Sequence, residues 1–352
     1  MKATPDDADF FTPDRVSQPV LVVGVPRSGT TMLRLMLNRS PDLAVLPETW
    51  FGPRVWDQRW AFPLRDEPQH SLRRAVDRFI MLLTTKQPGD FPIDLNLYRE
   101  RVLSGPASLN RLLSELGRLW AETEDKSRWG EKSPVHIHYL TPLAEMFPLM
   151  KVVHIVRDPR DVCVSLAEVP FSLSKDVVVH ALEWKNGVAA IANAYADRRI
   201  QITTVRYEDL VSDPAIELTR LCRFLGIGYE EDMINFHEDY ETYAPKHEWI
   251  QGVKEPLNAS SVGRFKRKLA PDDLRLIEAL LLEGLGRYGY EPTCHPSDFH
   301  TLRPLVQRLH EAQEARSDAD KARRSSQVAM GKGSYSDLLN AVTSPLDITP
   351  EQ

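Results

Sequence analysis

Residues 24–31 have the residue types expected of a phosphate-binding turn. They read GVPRSGTT and follow the apolar, β-branched run that begins at Pro19. A turn of this kind, between a buried strand and a helix, presents backbone N–H groups and the positive end of the helix dipole to an anion. We therefore predict that the loop binds a phosphate through the residues from its arginine to its second threonine: Arg27, Ser28, Gly29, Thr30 and Thr31.

The loop departs from the triphosphate-binding pattern G-x-x-x-x-G-K-[ST] at one position. Thr30 stands where that pattern has its lysine, and the cation of this loop is Arg27. In triphosphate-binding loops that lysine reaches the β- and γ-phosphates. Its absence disfavours ATP or GTP chemistry and favours a lone 5′-phosphate, with Arg27 beside the bond that breaks.

A second candidate anion site follows the strand-like residues 151–156. The chain there reads RDPRDVCVS, from Arg157 to Ser165. Ligands of doubly wound sheets collect at the carboxyl ends of the strands, so we expect Arg157 on the same edge as Arg27. The arginine can donate forked hydrogen bonds to a phosphate, and Ser165 can add its hydroxyl. Two anion sites on one edge indicate a nucleotide with phosphates at both ends of its ribose.

The ordered pair of motifs resembles those of the sulfotransferases that use 3′-phosphoadenosine 5′-phosphosulfate (PAPS). PRSGTT resembles their 5′-phosphosulfate loop, and RDPRDVCVS resembles their 3′-phosphate site, with Arg157 and Ser165 in the binding positions. The resemblance covers roughly residues 19–292 and is closest to the tyrosylprotein sulfotransferase branch. It implies transfer of a sulfuryl group to a hydroxyl or phenol, without a metal and with 3′,5′-bisphosphoadenosine as the product.

The resemblance also implies catalytic residues. Glu48, in the segment SPDLAVLPET, matches the catalytic base of the branch, and Lys132, in GEKSP, matches its catalytic lysine. With Arg27, the lysine would stabilise charge in the transition state. His136 is a rival base, because some sulfotransferases use a histidine near their catalytic lysine. Further residues resemble nucleotide-binding positions of the family: Tyr207 matches a tyrosine near the adenine, and Lys254 and Asn258 lie in a segment, residues 251–258, that resembles a late covering loop. Arg264 stands where the branch has a lysine, and either residue can contact phosphate.

Four aromatic residues follow the proposed base, and they are candidates for the acceptor pocket as well as for the core. Aromatic side chains serve in pockets, in cores and in surface stacking, so the sequence leaves these uses open. The identity of the acceptor is equally open. The four residues are Trp50, Phe51, Trp56 and Trp60.

Composition excludes several classes of protein. The 352 residues carry a formal net charge of −6, whereas a nucleic-acid binder normally carries a basic excess. Three widely separated cysteines, without a CxxC pair, disfavour a zinc site or a disulfide framework. We see no signal peptide at the N-terminus and no apolar run long enough to span a membrane. The membrane anchor of the secreted enzymes of the branch is absent, and we expect a cytoplasmic protein.

The spacing of apolar residues predicts an α/β fold: a P-loop-type parallel sheet flanked by helices. We expect a polar lead-in over residues 1–18, one sulfotransferase domain over 19–297 and a charged helical extension with a flexible tail over 298–352. The predicted strands cover residues 19–25, 151–156 and 200–207. Helices are predicted over residues 71–85, 107–122, 213–225 and 272–288, and from residue 162.

Two other functions fit the same motifs. A nucleotide or small-molecule kinase on this fold would need a magnesium-binding carboxylate at a strand end, for which Asp158 is the candidate. A non-catalytic nucleotide-binding protein would bind the donor without turnover. The oligomeric state is open, and a homodimer is possible because dimers occur in enzymes related to the sulfotransferases that this chain resembles.

Overall fold

The computed structural model describes residues 10–12, 14, 17–62, 64, 67–86, 93–170, 172, 174–239, 252–294, 307–308, 310–312 and 314. A sheet of five parallel strands lies at its centre. Its strands are β1 (Val20–Val23), β2 (Leu43–Leu46), β3 (Arg128–Lys132), β4 (Lys151–Val156) and β5 (Gln201–Arg206). They lie in the order β2-β3-β1-β4-β5, which confirms the predicted α/β class and its parallel sheet.

Helices cover both faces of the sheet. Alternate residues of β1 enter different cores: Leu21 and Val23 pack in one cluster, and Val20 and Val22 in another. Strands buried on both faces read as continuous apolar runs, as this one does. The helices are α1 (Thr30–Asn38), α2 (Phe51–Gln58), α3 (Pro68–Lys86), α4 (Leu95–Ser104), α5 (Arg111–Thr123), α6 (Leu140–Met146), α7 (Pro159–Glu168), α8 (Val177–Ala196), α9 (Tyr207–Ser212), α10 (Pro214–Leu225), α11 (Phe265–Lys268) and α12 (Pro271–Arg287).

The sequence analysis did not identify β2 and β3, although both carry site residues. β3 reads RWGEK and lacks the β-branched run of a buried strand. Its glycine is required by packing, since a Cβ at Gly130 would lie 2.4 Å from the carbonyl oxygen of Val20 in the neighbouring strand. Three 3₁₀ segments complete the described elements: Arg59–Ala61, Pro134–His138 and Glu231–Asp239.

The described part of the expected polar lead-in packs against the domain. Phe10 and Phe11 are both buried in the main core. Phe11 stacks on Trp56 with ring centroids 5.6 Å apart, and Phe10 meets Trp60 edge-on at 5.0 Å. Two consecutive aromatic rings bury enough apolar surface to hold this otherwise polar segment in place.

Most of the expected C-terminal extension lies outside the described residues. The residues described between 307 and 314 are helical, and Ala312 is buried against Val178 and Val179 of α8. Arg308 forms an ion pair with Asp176, at the start of the same helix, at 2.7 Å. The extension therefore has at least one point of contact with the domain.

Replacing Phe10 by alanine tests whether the lead-in belongs to the folded unit. The side chain is only 1% exposed, so Phe10→Ala should lower the free energy of unfolding by about 3–5 kcal/mol. Urea unfolding of the variant and the wild type measures the difference. Gln18→Ala, an exposed change in the same segment, should stay within about 0.5 kcal/mol of the wild type. Equal stability of Phe10→Ala and the wild type would contradict the packing.

Candidate active site

Each of the five strands delivers one predicted site residue to the same edge of the sheet. Lys132 is the last residue of β3, and Arg157 and Tyr207 directly follow β4 and β5. Glu48 and Arg27 lie in the connections that leave β2 and β1. Neighbouring strands are about 4.8 Å apart, so the strand order places Arg27 centrally, between the Glu48–Lys132 side and the Arg157–Tyr207 side.

The loop after β1 has the backbone shape of an anion-binding turn. Arg27 and Gly29 both have left-handed conformations, with φ of 71° and 96°. Gly29 caps α1 without any side-chain hydrogen bond to the first turn, so that turn keeps its N–H groups for another acceptor. A Cβ on Gly29 would lie 2.7 Å from the ring of Tyr207, which explains why the position needs glycine.

The two arginine-bearing motifs are in direct contact. The Nε of Arg27 donates a hydrogen bond to the Oγ of Ser165 in α7 at 3.1 Å. The Nη1 of Arg157 donates to the backbone oxygen of Arg27 at 3.0 Å. The loop after β1 and the turn after β4 thus form one cluster, close enough for a single small anion or nucleotide to contact both.

Arg157 is held from three sides and still has an unused donor. Its Nη2 donates to the carbonyl oxygen of Ser261 at 2.5 Å, and its guanidinium lies 4.6 Å from the ring centroid of Tyr207. Its Nε is buried without a hydrogen-bond partner, and so is the Oγ of Ser28 in the neighbouring loop. Buried polar atoms normally have partners, so we expect a bound ligand or an ordered water to supply them here.

Positive charge is concentrated at this edge of the sheet, although the chain as a whole is acidic. Burial lowers the pKa of Arg27, and the charges of Arg157 and Arg264 lower it further. Arg264 itself forms an ion pair with Glu168 at 2.6 Å. Because three guanidinium groups repel one another, the cluster is suited to an anion that can compensate them.

On the other side of the loop, Glu48 and Lys132 form a close ion pair. The Nζ of Lys132 lies 2.5 Å from Oε1 of Glu48. The lysine is 3% exposed and the glutamate 37%. Burial lowers the pKa of Lys132, and Glu48 opposes that shift. The carboxylate is therefore open to a substrate, while the ammonium group is held beneath it.

Trp50 stands beside the same carboxylate. Its indole Nε1 lies 3.4 Å from Oε2 of Glu48, and its side chain is 37% exposed. Its backbone is left-handed, with φ of 61°, which is unusual for a bulky residue. Of the other aromatic candidates, Phe51 is buried in the core, while Trp56 and Trp60 pack on the N-terminal phenylalanines. Among these four, Trp50 is the one beside Glu48.

His136 has a different environment from Glu48. It is fully buried, its two ring nitrogens have no hydrogen-bond partner, and Nε2 lies 3.7 Å from Oε2 of Glu131. Burial lowers the pKa of its imidazole, and the nearby Glu131 opposes that shift. The ring has no surface through which it could reach a bound hydroxyl.

The late covering loop makes less direct side-chain contact with the arginine cluster than its sequence suggests. Asn258 uses its side chain within its own turn, donating to the oxygen of Pro256 and accepting from Ser260. Lys254 is exposed in the same segment. The segment is nevertheless tied to the site, because the oxygen of its Ser261 accepts the hydrogen bond from Arg157.

Sequence reasoning overlooked two buried carboxylates that organise the site. Asp161 accepts hydrogen bonds from the backbone of Gly263 at 2.7 Å and of Phe265 at 2.8 Å, which anchors the covering loop on α7. Glu131 accepts two hydrogen bonds from Thr49, next to Glu48. Both carboxylates lie inside the quoted motifs, but only their side-chain partners reveal what they do.

Comparison with known proteins identifies the family of these motifs. A model described as "Sulfotransferase family" matches residues 19–231. Protein-tyrosine sulfotransferase 1 of Danio rerio is 24% identical over 305 residues, covering 82% of this chain and 76% of that protein. Omega-hydroxy-beta-dihydromenaquinone-9 sulfotransferase of Mycobacterium tuberculosis is 25% identical over 330 residues, covering 82% and 79%.

A solved structure has the same fold. The sulfotransferase domain from the curacin biosynthetic pathway superposes with a TM-score of 0.53 at 19% identity. The match covers 79% of this chain and 99% of that domain. It agrees with the parallel sheet and flanking helices described above.

The expected cytoplasmic location is wrong. That expectation rested on an N-terminus in which we see no apolar leader, but several of the relatives are protein-tyrosine sulfotransferases, the branch whose secreted enzymes are membrane-anchored. The composition of the N-terminal residues therefore does not determine where the protein acts. No helix in the described part of the chain combines the length and apolar character needed to cross a bilayer.

The buried imidazole of His136 predicts a pH dependence of stability. Its pKa in the folded state is lowered, whereas in the unfolded chain it is about 6.5, so only the unfolded chain gains this proton as the pH falls. The free energy of unfolding should therefore fall below about pH 6.5, by at most about 1.4 kcal/mol per pH unit for this group. His136→Asn should flatten the dependence. Urea unfolding between about pH 7 and about pH 5 measures both slopes, and parallel slopes would contradict a buried neutral ring.

Proposed function

The chain belongs to the sulfotransferase family, and on that premise we propose that PAPS is its donor, a hydroxyl or phenol its acceptor and Glu48 its general base. The observation that carries the proposal is the contact between the Arg27 loop and the Arg157 turn. A nucleotide with phosphates on both its 3′ and 5′ positions needs two anion sites within one ribose of each other. The contact brings the two candidate anion sites together at this edge of the sheet, which supports the proposal.

The donor would bind across the two motifs. The first turn of α1 and the residues from Arg27 to Thr31 would hold the 5′-phosphate, and Arg157 with Ser165 would hold the 3′-phosphate. The buried donor atoms without partners, Nε of Arg157 and Oγ of Ser28, support this assignment. In this arrangement the Arg27 side chain would exchange its hydrogen bond to Ser165 for a contact with the bridging oxygen of the donor.

Tyr207 and the covering loop would complete the nucleotide site. The Tyr207 ring supports the guanidinium of Arg157 and packs against Gly29, so it fixes both anion sites relative to each other. We assign the adenine to the space beside this ring. Arg264, close enough for its charge to affect Arg27, would supply a further cation, and Lys254 and Asn258 would lie over the nucleotide.

Glu48 is the better base because it can reach a substrate. Its carboxylate is substantially exposed beside a buried cation, whereas the alternative base, His136, is sealed in the core. A base must come within hydrogen-bonding distance of the proton that it removes. That requirement favours Glu48.

The reaction follows from these positions. Glu48 takes the proton of the acceptor hydroxyl, whose oxygen forms a bond to sulfur while the bond from sulfur to the 5′-phosphate oxygen breaks. The electron pair of the broken bond leaves with 3′,5′-bisphosphoadenosine. Lys132 and Arg27 stabilise the negative charge on the sulfonate and the departing oxygen, as fixed cations do in related phosphoryl transfers.

The names of the relatives indicate the class of acceptor. One specifies a protein tyrosine and the other an omega-hydroxy menaquinone. A phenol and an aliphatic alcohol have only a hydroxyl group in common, so we propose a hydroxyl acceptor without restricting its carrier. The half-exposed indole of Trp50, beside Glu48, would form one wall of the acceptor site.

The kinase alternative needs a carboxylate that is available to magnesium, and the surroundings of Asp158 do not favour that role. Asp158 caps α7 by accepting from the backbone N–H of Arg160, and both of its oxygens bind the guanidinium of Arg160 at 2.9 and 2.7 Å. A carboxylate engaged in this way is poorly placed to bind magnesium.

Loss of the proposed base should remove turnover and spare donor binding. For Glu48→Gln we expect turnover to fall on the order of 10²- to 10⁴-fold, because the amide cannot take the proton of the acceptor hydroxyl. Transfer from radiolabelled PAPS is measured against a tyrosine peptide, a simple phenol, a primary alcohol and a sugar. Binding of 3′,5′-bisphosphoadenosine is measured by calorimetry and should not change.

A matched control accompanies this experiment. Glu145 is 39% exposed and forms an ion pair with Arg199 at 2.5 Å, much as Glu48 does with Lys132, but it lies away from the site. Glu145→Gln should keep wild-type turnover. Undiminished turnover in Glu48→Gln would reject Glu48 as the base, and a wild type that binds no bisphosphate and sulfates no acceptor would reject the donor assignment.

Replacing Arg157 should discriminate between two nucleotides. Removing a charge-assisted hydrogen bond to the 3′-phosphate should weaken binding of 3′,5′-bisphosphoadenosine roughly 10- to 100-fold in Arg157→Ala. Binding of adenosine 5′-phosphate, which lacks the 3′-phosphate, should change much less. The same calorimetric titration with both ligands measures the two losses, and equal losses would contradict the 3′-phosphate assignment.

A further inference from the structure

A buried carboxylate lies beneath the proposed catalytic pair. Glu131 is 0% exposed, and its Oε1 accepts hydrogen bonds from Thr49 N at 3.0 Å, Thr49 Oγ1 at 2.5 Å and Ser133 Oγ at 2.8 Å. Its Oε2 is buried without a hydrogen-bond partner and faces the imidazole of His136. Burying a carboxylate costs free energy unless hydrogen bonds compensate it, so the hydrogen bonds to Oε1 stabilise Glu131 in this position.

Those hydrogen bonds hold the connection from β2 to α2, which includes Glu48 and Trp50. Thr49 is the centre of this connection: its backbone N–H and its hydroxyl both donate to Glu131, and its Oγ1 also accepts from the N–H of Phe51 at 3.0 Å. The next residue, Trp50, has a left-handed backbone. Such a conformation persists only where the surrounding contacts over-determine it, and the Thr49–Glu131 contacts do so here.

The same strand end carries the cation that pairs with the proposed base. Glu131 and Lys132 are consecutive in β3, and Leu46, at the end of β2, is in register with Glu131. The glutamate holds Thr49, and the lysine holds Glu48, the residue before it. Two consecutive side chains of β3 therefore contact two consecutive residues of the connection from β2 to α2.

From this geometry we infer that Glu131 and Thr49 are positioning residues that hold Glu48 beside Lys132. The inference rests on the proposed role of Glu48 as the base. Glu131 and Thr49 do not touch the substrate; they fix the backbone on either side of the residue that does. The hydroxyl of Thr49 is the essential link, because it joins Glu131 to the backbone of Phe51.

Two substitutions at one position test the inference. Thr49→Val keeps the shape of the side chain but removes the hydroxyl, and Thr49→Ser keeps the hydroxyl. A displacement of about 1 Å can cost on the order of 10²-fold in rate, so we expect Thr49→Val to lower kcat by about that factor. The dissociation constant of 3′,5′-bisphosphoadenosine should stay within about twofold of the wild type, since a kcat effect of this kind need not change binding. Thr49→Ser should restore kcat to within about threefold, as expected if the hydroxyl makes the difference.

A matched control separates positioning from stability. The Oγ of Ser108 is also buried, accepting from Thr12 N at 2.7 Å and donating to Asn110, but it lies away from the site. Ser108→Ala should lower the melting temperature, as Thr49→Val does, yet leave kcat unchanged. If Thr49→Val lowers only the melting temperature and keeps wild-type kcat, the positioning role is overturned.

A crystal structure of Thr49→Val gives a second readout that needs no acceptor. We expect the Glu48 carboxylate to leave hydrogen-bonding distance of the Lys132 ammonium. An unchanged Glu48–Lys132 contact would overturn the inference by itself. Failure of the proposed function looks different: the wild type would then transfer no sulfuryl group to any acceptor, while the crystal structure would still decide whether Thr49 holds the pair.

Discussion

The hydrogen bond from Arg157 to the backbone oxygen of Arg27 is the contact on which the site depends. It joins the loop after β1 to the turn after β4, two segments far apart in sequence but adjacent in the sheet. Parallel strands place their carboxyl ends at one edge, and the strand order makes these two turns neighbours. The contact of Arg27 with Ser165 adds α7 to the same cluster.

Bringing these cations together has an energetic cost that other groups offset. Arg157 lies over the ring of Tyr207 and donates to two backbone oxygens, while Arg264 is paired with Glu168. Even so, burial and mutual repulsion lower the pKa of Arg27. The chain as a whole is acidic, so the positive charge at this edge is local, and an anionic ligand would compensate it.

Glu48 and His136 are both candidates for the general base, and they differ in their exposure to solvent. Glu48 and His136 both lie close to Lys132 in the structure or the sequence, yet the glutamate is open at the surface and the histidine is enclosed. The glutamate also belongs to a connection whose strained backbone is held from below by Glu131. The two groups thus differ in the direction in which they face, and that direction is set by the segments at the ends of β2 and β3.

The parts of this protein that depend on local chemistry could be predicted from neighbouring residues. The glycine-rich loop, the apolar strand of residues 151–156 and the helix ending before Gly226 are each recognisable from neighbouring residues, and they appear in the structure at or near the predicted bounds. Local signals could not identify β3, because its residues RWGEK form a strand only when packed between two others. Which side chains meet at the site became clear from the folded arrangement of the strands. Glu48 pairs with Lys132, His136 is enclosed in the core, and Glu131 accepts hydrogen bonds from Thr49. These arrangements depend on contacts between strands, and long-range contacts of this kind cannot be recognised in any short stretch of sequence.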